Sequence, residues 1–479
     1  MITFNQMMRE AALYLEKNMR CPKHHVEHTG NTTYLLDIYS YLGEIEKGKQ
    51  LITTLMSRIV LSGEQWIFYP GLLEPRNMSN NVIDCGSCVD TIARFLRTHR
   101  DAFSEAEHAE YGEKLKKVVE TYLLSTTDSK PLTNQRLWGL TGIASYSKYG
   151  GDTSVSATTE KSIQEAFSKM TVDGFFRYYP DAEKHGTFAG YDGMTTFYQS
   201  RCTAFIRYVL GELGMSTAPY EEPLKECEKA LLAMYRADGT KDLRMECKRW
   251  YWLSPYEVAS HSFDAYALAH SSLPEAETAL HNALYQIRRH FFDGYLHSHI
   301  GAPINFQCPI FWTAHLAWLT RIPNIQKLFD AADSLKPFSF ELKGKEVYTK
   351  TTPEKRVLVN SLLTPRNLTT GIFQNGLSGK VEWHLQMPQL PPAFRHSFRE
   401  NLNHAWYALR GLHFREAFLR LLYFKLNLLV MLLPRFATGY GKITSLRYEN
   451  GHIHVEVQPA TKYGTVLNTA VTIFVPFEN

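Results

Sequence analysis

The sequence predicts an α+β multidomain chain. An array of helical hairpins occupies residues 1–335, and an antiparallel β-sandwich-like domain occupies 336–479, with a helical insertion at about 394–435. Three observations predict it. Apolar residues recur at three- and four-residue spacing through the first part. A glycine turn returns there at long intervals. Beyond Pro337 the texture changes to β-branched and alternating runs.

The helical windows are 49–61, 89–98, 111–124, 199–213, 224–235, 262–269 and 280–291. Between them a turn recurs: Gly63-Glu64-Gln65-Trp66, Asp173-Gly174-Phe175-Phe176, Asp238-Gly239 and Asp293-Gly294-Tyr295. The last two Asp-Gly turns are 55 residues apart, and the interval from Asp173 to Asp238 is 65. The 111 residues from Gly63 to Gly174 have room for two such units. A period near 55 is one long helical hairpin plus its loop, and its recurrence signals a stacked or closed array. Glycine supplies the positive-φ corner of each turn.

In the second part, residues 338–342, 346–348, 356–359, 379–385, 442–446, 452–457 and 470–475 read as strands. Asn450-Gly451 between two of them is a hairpin signal. The insertion sets Arg395, Arg399, Arg410, Arg415, Arg420, Lys425 and Arg435 beside a run of leucines. Two readings are open for it: a basic amphipathic helix lying on an anionic membrane surface, or a helix pair clamping the strands to the array.

Composition excludes several classes. With 44% hydrophobic and 21% charged residues the chain is not intrinsically disordered. A net charge of +4 from 52 basic and 48 acidic residues is too balanced for a dedicated nucleic-acid binder. Aromatic residues reach 13%, and their flat apolar faces suit sugar rings as well as cores. The start, Met1-Ile2-Thr3-Phe4-Asn5-Gln6, lacks the pattern of a signal peptide, and no apolar run reaches the roughly 18–20 residues that span a bilayer. Seven scattered cysteines read as reduced thiols. A cytoplasmic protein is expected, peripheral at the inner membrane if 394–435 binds lipid. Cys85-Gly86-Ser87-Cys88 and the Cys21, His24, His25, His28 group have metal-like spacing, but the CxxC reads as small thiols packing at a helix start. No metal is expected. Neither GxGxxG nor GxxxxGK[ST] occurs in a strand–helix context, so no nucleotide cofactor is expected either.

Four segments concentrate polar and aromatic residues at loop–helix junctions. In 133–142, Asn134 and Arg136 open an apolar helix, where an amide and a guanidinium suit a substrate carboxylate; plain N-capping is the alternative. In 190–201, Tyr191 and Asp192 precede a helix on which Tyr198 and Arg201 share a face, a proton-transfer pair or a core aromatic beside a cation. In 249–264, Glu257, His261 and Asp264 share a face, the arrangement of an oriented base, and Trp250 and Trp252 suit stacking on a sugar. At the last array loop, His297, His299, Asn305, Gln307 and His315 gather polar groups, and nothing in the sequence fixes them together.

On residues 134–142 and 173–210, the hairpin array with aromatic Asp-Gly loops resembles the (α/α)-toroid polysaccharide lyases, in particular the heparinase II/III-like group. The resemblance implies an (α/α)-toroid catalytic domain over 1–335 and β-elimination of a uronate-containing glycan without a cofactor. It implies that Asn134 neutralises the uronate carboxylate, that His261 is the base, that Tyr198 or Tyr191 is base or acid, and that Arg201 holds charge. The other substrate contacts are Arg136, Trp250, Trp252, Glu257, Asp192 and His299. The partner is then an acidic polysaccharide or oligosaccharide. Two alternatives remain open: a toroid glycoside hydrolase using paired carboxylates among Asp192, Glu257 and Asp264, and a non-catalytic glycan-assembly or binding protein at the inner membrane.

Overall fold

The computed structural model describes residues 2–19, 29–69, 81–130, 132–151, 155–178, 195–242, 245, 258, 260–297, 309–360, 372–376, 381–384, 414, 418, 441–449, 452–459 and 471–476. These residues are mostly helical, with small antiparallel sheets. The helices are α1 (Phe4–Lys17), α2 (Thr29–Thr32), α3 (Leu35–Leu42), α4 (Ile45–Met56), α5 (Asn81–Thr98), α6 (Glu105–Val118), α7 (Leu124–Thr126), α8 (Thr133–Gly150) and α9 (Ser156–Ser168). They continue as α10 (Thr196–Glu212), α11 (Glu221–Ala233), α12 (Ser260–Ala269), α13 (Ala276–His290), α14 (Pro309–His315) and α15 (Ile325–Asp330).

Their packing closes on itself. Around the ring run α3, α5, α8, α10, α12 and the turn Leu316–Arg321 that extends α14; each packs on the next, and that turn packs back on α3. Outside them α4, α6, α9, α11 and α13 each pack on the inner helix that precedes them. The two layers differ in composition for a physical reason. An outer helix such as α1 buries one stripe (Phe4, Met7, Met8, Ala11, Ala12 and Leu15), whereas α12 is buried from Ser260 to Leu268. Inner helices need small residues where they meet. A Cβ on Gly86 of α5 would lie 2.5 Å from the Trp138 carbonyl oxygen of α8, and one on Gly142 would lie 2.8 Å from the Gly86 oxygen.

Two contacts hold the ends of the ring together. The Phe4 N–H donates to Asp330 Oδ1 at 2.8 Å across 326 residues, with the Phe4 and Phe329 rings 5.4 Å apart. Deeper in, the Arg321 guanidinium meets Asp37 Oδ2 at 2.6 Å and Asp90 Oδ2 at 2.8 Å, with all three side chains buried. Its flat face covers the rings of Trp318 and Tyr208 at 4.1 and 4.8 Å. Ser145 and Tyr208 hydroxyls donate to Asp90 Oδ1, and Arg94 Nε reaches Asp37 Oδ1 at 3.4 Å. This polar plug ties α3, α5, α8, α10 and the last turn into one unit.

The recurrent glycine turns form as expected. Gly63, Gly174, Gly239 and Gly294 all adopt left-handed φ, between +63° and +81°. Gly63 turns the hairpin of β1 (Ile59–Ser62) and β2 (Gln65–Phe68), and Gly294 the hairpin of β3 (Phe291–Phe292) and β4 (Tyr295–Leu296). Among the described residues between Phe68 and Gly174 there is no further hairpin. There α6 runs through a π-helical segment, Val119–Leu123, into α7 and a 3-10 turn, Thr127–Ser129.

Past the helices, β5 (Phe340–Lys343), β6 (Val347–Thr351), β7 (Lys355–Asn360), β8 (Ile372–Gly376) and β9 (Val381–His384) form an antiparallel sheet in sequential order. β10 (Gly441–Glu449), β11 (His452–Pro459) and β12 (Val471–Pro476) form a second. Glu449 pairs with His452 across the expected Asn-Gly turn, and β8 is a strand that the alternation did not reveal. The two sheets touch where the Tyr348 and Tyr448 rings lie 5.7 Å apart. Of the insertion at 394–435 only Phe414 and Phe418 are among the described residues, both exposed. No helix among the described residues is long and apolar enough to cross a membrane.

The first sheet is locked to the glycine turns. Asp173 accepts from the backbone N–H groups of Lys345, Glu346 and Val347 at 2.7–2.8 Å. Buried Arg356 of β7 donates to the carbonyls of Ala233 (2.8 Å) and Tyr235 (2.9 Å) and pairs with Asp242 at 2.9 Å.

Arg321→Met would leave two buried carboxylates without their shared cation. Removing one partner of a buried ion pair costs about 3–5 kcal/mol, so urea unfolding should show a loss of that size. A change below about 1 kcal/mol would mean that the plug does not hold the ring closed.

Candidate functional site

Each inner helix is reached through an outer one, so the inner helices run the same way and their first turns gather at one end of the ring. The glycine turns lie at that end too, in the connections from an outer helix to the next inner one. The start of a helix carries free N–H groups and the positive end of its dipole. Helix starts converging on one mouth therefore favour an anion there.

Below the mouth, side chains fill the axis in layers about one helical turn, roughly 5–6 Å, apart. One layer holds Tyr34, Ser87, Trp138, Arg201, Phe263 and His315. One turn nearer the helix starts, by helical spacing, come Asn134 (four before Trp138 on α8), Tyr198 (three before Arg201 on α10) and Phe311 (four before His315 on α14). The indole Nε1–H of Trp138 donates to Ser87 Oγ at 2.8 Å and to the Tyr34 hydroxyl at 3.2 Å. The His315 ring lies 4.1 Å from Phe311, 5.0 Å from Phe263, 5.6 Å from Tyr34 and 5.7 Å from Trp138. Arg201 reaches into the same cage, with its guanidinium carbon 5.2 Å from the centre of the Phe263 ring, 5.5 Å from Phe311 and 5.9 Å from Tyr198. The polar plug around Arg321 lies one to two turns further down, three residues on from Tyr34 and Ser87 and seven on from Trp138 and Arg201.

His315 is fully buried, and neither ring nitrogen has a hydrogen-bond partner among the described residues. Burial and the nearby Arg201 charge push its pKa well below the ordinary histidine value, so the ring is neutral. Asn134 is buried as well, and its Oδ1 has no partner among the described residues. Buried polar groups are normally satisfied, so Asn134 Oδ1 and the His315 nitrogens are the candidate ligand contacts among the described residues.

The expected pairing of Tyr198 with Arg201 is present, and Tyr198 also stacks on Tyr178 at 5.2 Å. His261 and Asp264 meet as the spacing implies, with Nδ1 3.0 Å from Oδ2. They sit in a fully buried network: Tyr235 Oη donates to Asp264 at 3.0 Å, and Lys241 Nζ lies 2.7 Å from Asp264 Oδ2 and bonds Ser200. Phe263, which faces the axis, is two residues after His261 and so about 200° round the helix from it. His261 thus faces the Asp238-Gly239 turn, not the axis. Burial, together with the Lys241 charge, lowers the His261 pKa against the pull of Asp264. Burial raises the Asp264 carboxyl, but Lys241 and His261 outweigh it, and the group lies below its ordinary value.

Arg136 turns outward. Its Nη1 meets Glu165 Oε1 of α9 at 3.2 Å, and its Nε donates to the Lys130 carbonyl at 2.5 Å. Residues two apart on a helix do not share a face, which is why Arg136 leaves the axis that Asn134 enters. Tyr191, Asp192, Trp250, Trp252, Glu257 and His299 lie outside the described residues, as do Cys21, His24, His25 and His28. Cys85 and Cys88 are free and buried, with burial pushing both thiols up. Among the described residues no three His, Cys, Asp or Glu side chains form a metal-binding group.

The sequence noted His315 but not its company. Phe311 and His315, four apart, were the available signal; the cage depends on α3, α8 and α12, which sequence spacing does not bring together. Lys241 and Tyr235 were missed, although they flank the Asp238-Gly239 turn that periodicity picked out.

No protein-family model matches the chain. No curated protein matches it either. Among solved structures, it is similar to a polysaccharide lyase with 13% identity and a TM-score of 0.49, over 69% of this chain and 98% of that one. A glycosyl hydrolase family 88 protein from Bacteroides vulgatus is similar with 12% identity and a TM-score of 0.48, over 68% and 99% of the two chains. A possible member of the GH105 family from Salmonella enterica follows with 11% identity and a TM-score of 0.44, over 68% and 83%.

Two buried neutral histidines give the fold an acid limit. Both pKa values lie below the unfolded value of 6.5, so the unfolded chain binds more protons in the window beneath it. Their stability contribution is complete above pH 6.5 and is lost as pH falls through it. Each histidine should contribute at most about 1.4 kcal/mol per pH unit. Denaturant unfolding across that range should show the slope, and His315→Phe should make it shallower; an equal slope in the variant would mean that His315 is not held neutral.

Proposed function

We propose that the axial site binds an acidic sugar unit of a polysaccharide or oligosaccharide, and that it carries out β-elimination there. The observation that carries this reading is the Arg201 guanidinium set in a cage of Phe263, Phe311 and Tyr198, with the buried imidazole of His315, which has no hydrogen-bond partner among the described residues, against two of the same rings. Aromatic faces suit the apolar side of a pyranose ring. A guanidinium, the Asn134 amide and a ring of helix starts suit its carboxylate.

In β-elimination a base removes the proton at C5, next to the carboxylate. The electron pair left on C5 forms a C4=C5 double bond, and the C4–O bond breaks as the leaving oxygen takes up a proton. The developing enolate charge lies on the carboxylate, where cationic and amide donors in a dry site stabilise it. Tyr198, in the mouth layer and next to Arg201 on one helix face, is the proton-transfer group among the described residues. His261 acts as a positioning group. With Asp264, Lys241 and Ser200 it ties the start of α12 to the turn of α10 that carries Arg201. The paired-carboxylate hydrolase is less well served. Asp264 is buried and held ionised by Lys241, so it is a poor proton donor near neutral pH.

Incubation with uronate-containing polymers should generate absorbance near ~235 nm from an unsaturated uronide, the product of C5 proton removal. New reducing ends without that absorbance would favour hydrolysis and end the elimination reading. Tyr198→Phe should lower turnover about 10²–10⁴-fold, and Arg201→Gln about 10²–10³-fold. The Tyr198→Phe protein should melt almost as the parent does, because Tyr198 is only half-buried. Full turnover in that variant would remove Tyr198 from the chemistry.

A further inference from the structure

The residues at the foot of the Asp238-Gly239 turn are bonded in two directions. Tyr235 and Lys241 pair there as an antiparallel bridge, and Asp242 follows. One set of contacts runs to the sheet. Arg356 of β7 pairs with Asp242 Oδ2 at 2.9 Å and donates to the carbonyls of Tyr235 and Ala233 at 2.9 and 2.8 Å. The Thr351 hydroxyl of β6 donates to the same Tyr235 carbonyl at 3.1 Å. The other set runs to the ring. The Tyr235 hydroxyl donates to Asp264 Oδ2 of α12 at 3.0 Å. The Lys241 ammonium lies 2.7 Å from that oxygen and donates to the Ser200 hydroxyl of α10. Every side chain in this series is buried.

We infer that the sheet is a working part of the axial site: Arg356 is a positioning residue that acts through Asp242 and Lys241 on the first turns of α10 and α12. The inference rests on the proposed acidic-sugar reading and extends it past the ring. Lys241 and Asp242 are neighbours in the chain, about 3.8 Å apart. One gives a cation to the ring's Asp264, and the other an anion to the sheet's Arg356. A buried ion pair resists separation, because a charge left alone in the interior is costly. A shift at Arg356 is therefore passed along two linked pairs to Ser200 and Asp264. Ser200 directly precedes Arg201, and Asp264 directly follows Phe263, so both cage residues inherit their placement from this clamp. With the sheet's contacts removed, the Tyr235 carbonyl loses two donors. Asp242 then keeps the half-exposed Arg236, at 3.3 Å from its Oδ1. The foot of the turn loses its fixed side, and Lys241 no longer holds α10 and α12 in one register.

The test is amide hydrogen exchange and turnover in the full chain carrying Arg356→Met with Asp242→Asn. The double change removes both members of the sheet-side pair, so neither is left as a lone buried charge. Amides of 197–203 and 260–266 should exchange about tenfold faster than in the parent. Those of α3 and α5, across the ring, should keep their parent rates. Turnover of a uronate polymer should fall about tenfold to a hundredfold. Arg356→Lys, which keeps the charge facing Asp242, should recover part of both. If the double variant does not fold, Thr351→Val is read in the same segments with smaller changes, since it deletes one hydroxyl from the sheet-side contacts. Unchanged exchange at 197–203 and 260–266 overturns the inference, and so does equal acceleration in α3 and α5, which would make the clamp a prop of the whole fold. Parent-like turnover beside selectively faster exchange overturns it as well. A parent that neither binds nor turns over any uronate polymer ends the proposed function instead, and the exchange pattern alone then decides whether the sheet sets α10 and α12.

Discussion

The structure depends on one buried cation between two buried anions. Asp37 lies near the start of the described chain, Asp90 in the second inner helix, and Arg321 at the end of the last inner turn, 284 residues after Asp37. Each carboxylate alone in the interior would be costly, and the two together more so. The guanidinium offers planar donors to both and lays its face on Trp318 and Tyr208. A ring of helices can slip or splay without losing much apolar contact. It cannot do so without separating these charges, so the plug fixes which helices are neighbours. The axial layers above it inherit that register.

Those layers explain where the aromatic excess goes. Tyr34, Trp138, Phe205, Phe263, Phe311, His315 and Trp318 meet edge to face or tilted, with ring centres mostly 5–6 Å apart. Large flat side chains span the axis, where small aliphatic ones would leave a hollow. The same arrangement sets Arg201 and His315 among ring faces and edges.

The array and its turns were legible in the sequence because both rest on local rules. Apolar spacing revealed α4, α6, α10, α11 and α13, and Asp-Gly pairs marked the positive-φ corners at Gly174, Gly239 and Gly294. The pairs Tyr198–Arg201 and His261–Asp264 were legible for the same reason, since a helix fixes which residues face each other. What spacing could not supply was which face looks inward. Inner helices such as α12 are buried all round, so no polar stripe told His261 apart from Phe263. The His315 cage was out of reach because its members come from separate turns of the ring. β8 was missed because its residues, Ile372 to Gly376, carry little alternation.

The contact between Phe4 and Asp330 has a bearing on how the molecule comes into being. A ribosome releases the chain from its N-terminal end, so α1 is made long before the residue that receives its first N–H. Until residue 330 has emerged, the apolar stripe of α1 has no α15 to cover it, and Asp37 and Asp90 face each other without Arg321. Early fragments would therefore hold an open arc with like charges opposed and sticky helix faces exposed. Closure is a single late event that satisfies both at once. A protein built this way should gain its shape abruptly near the end of synthesis, and its half-made forms are the ones that need protection from one another.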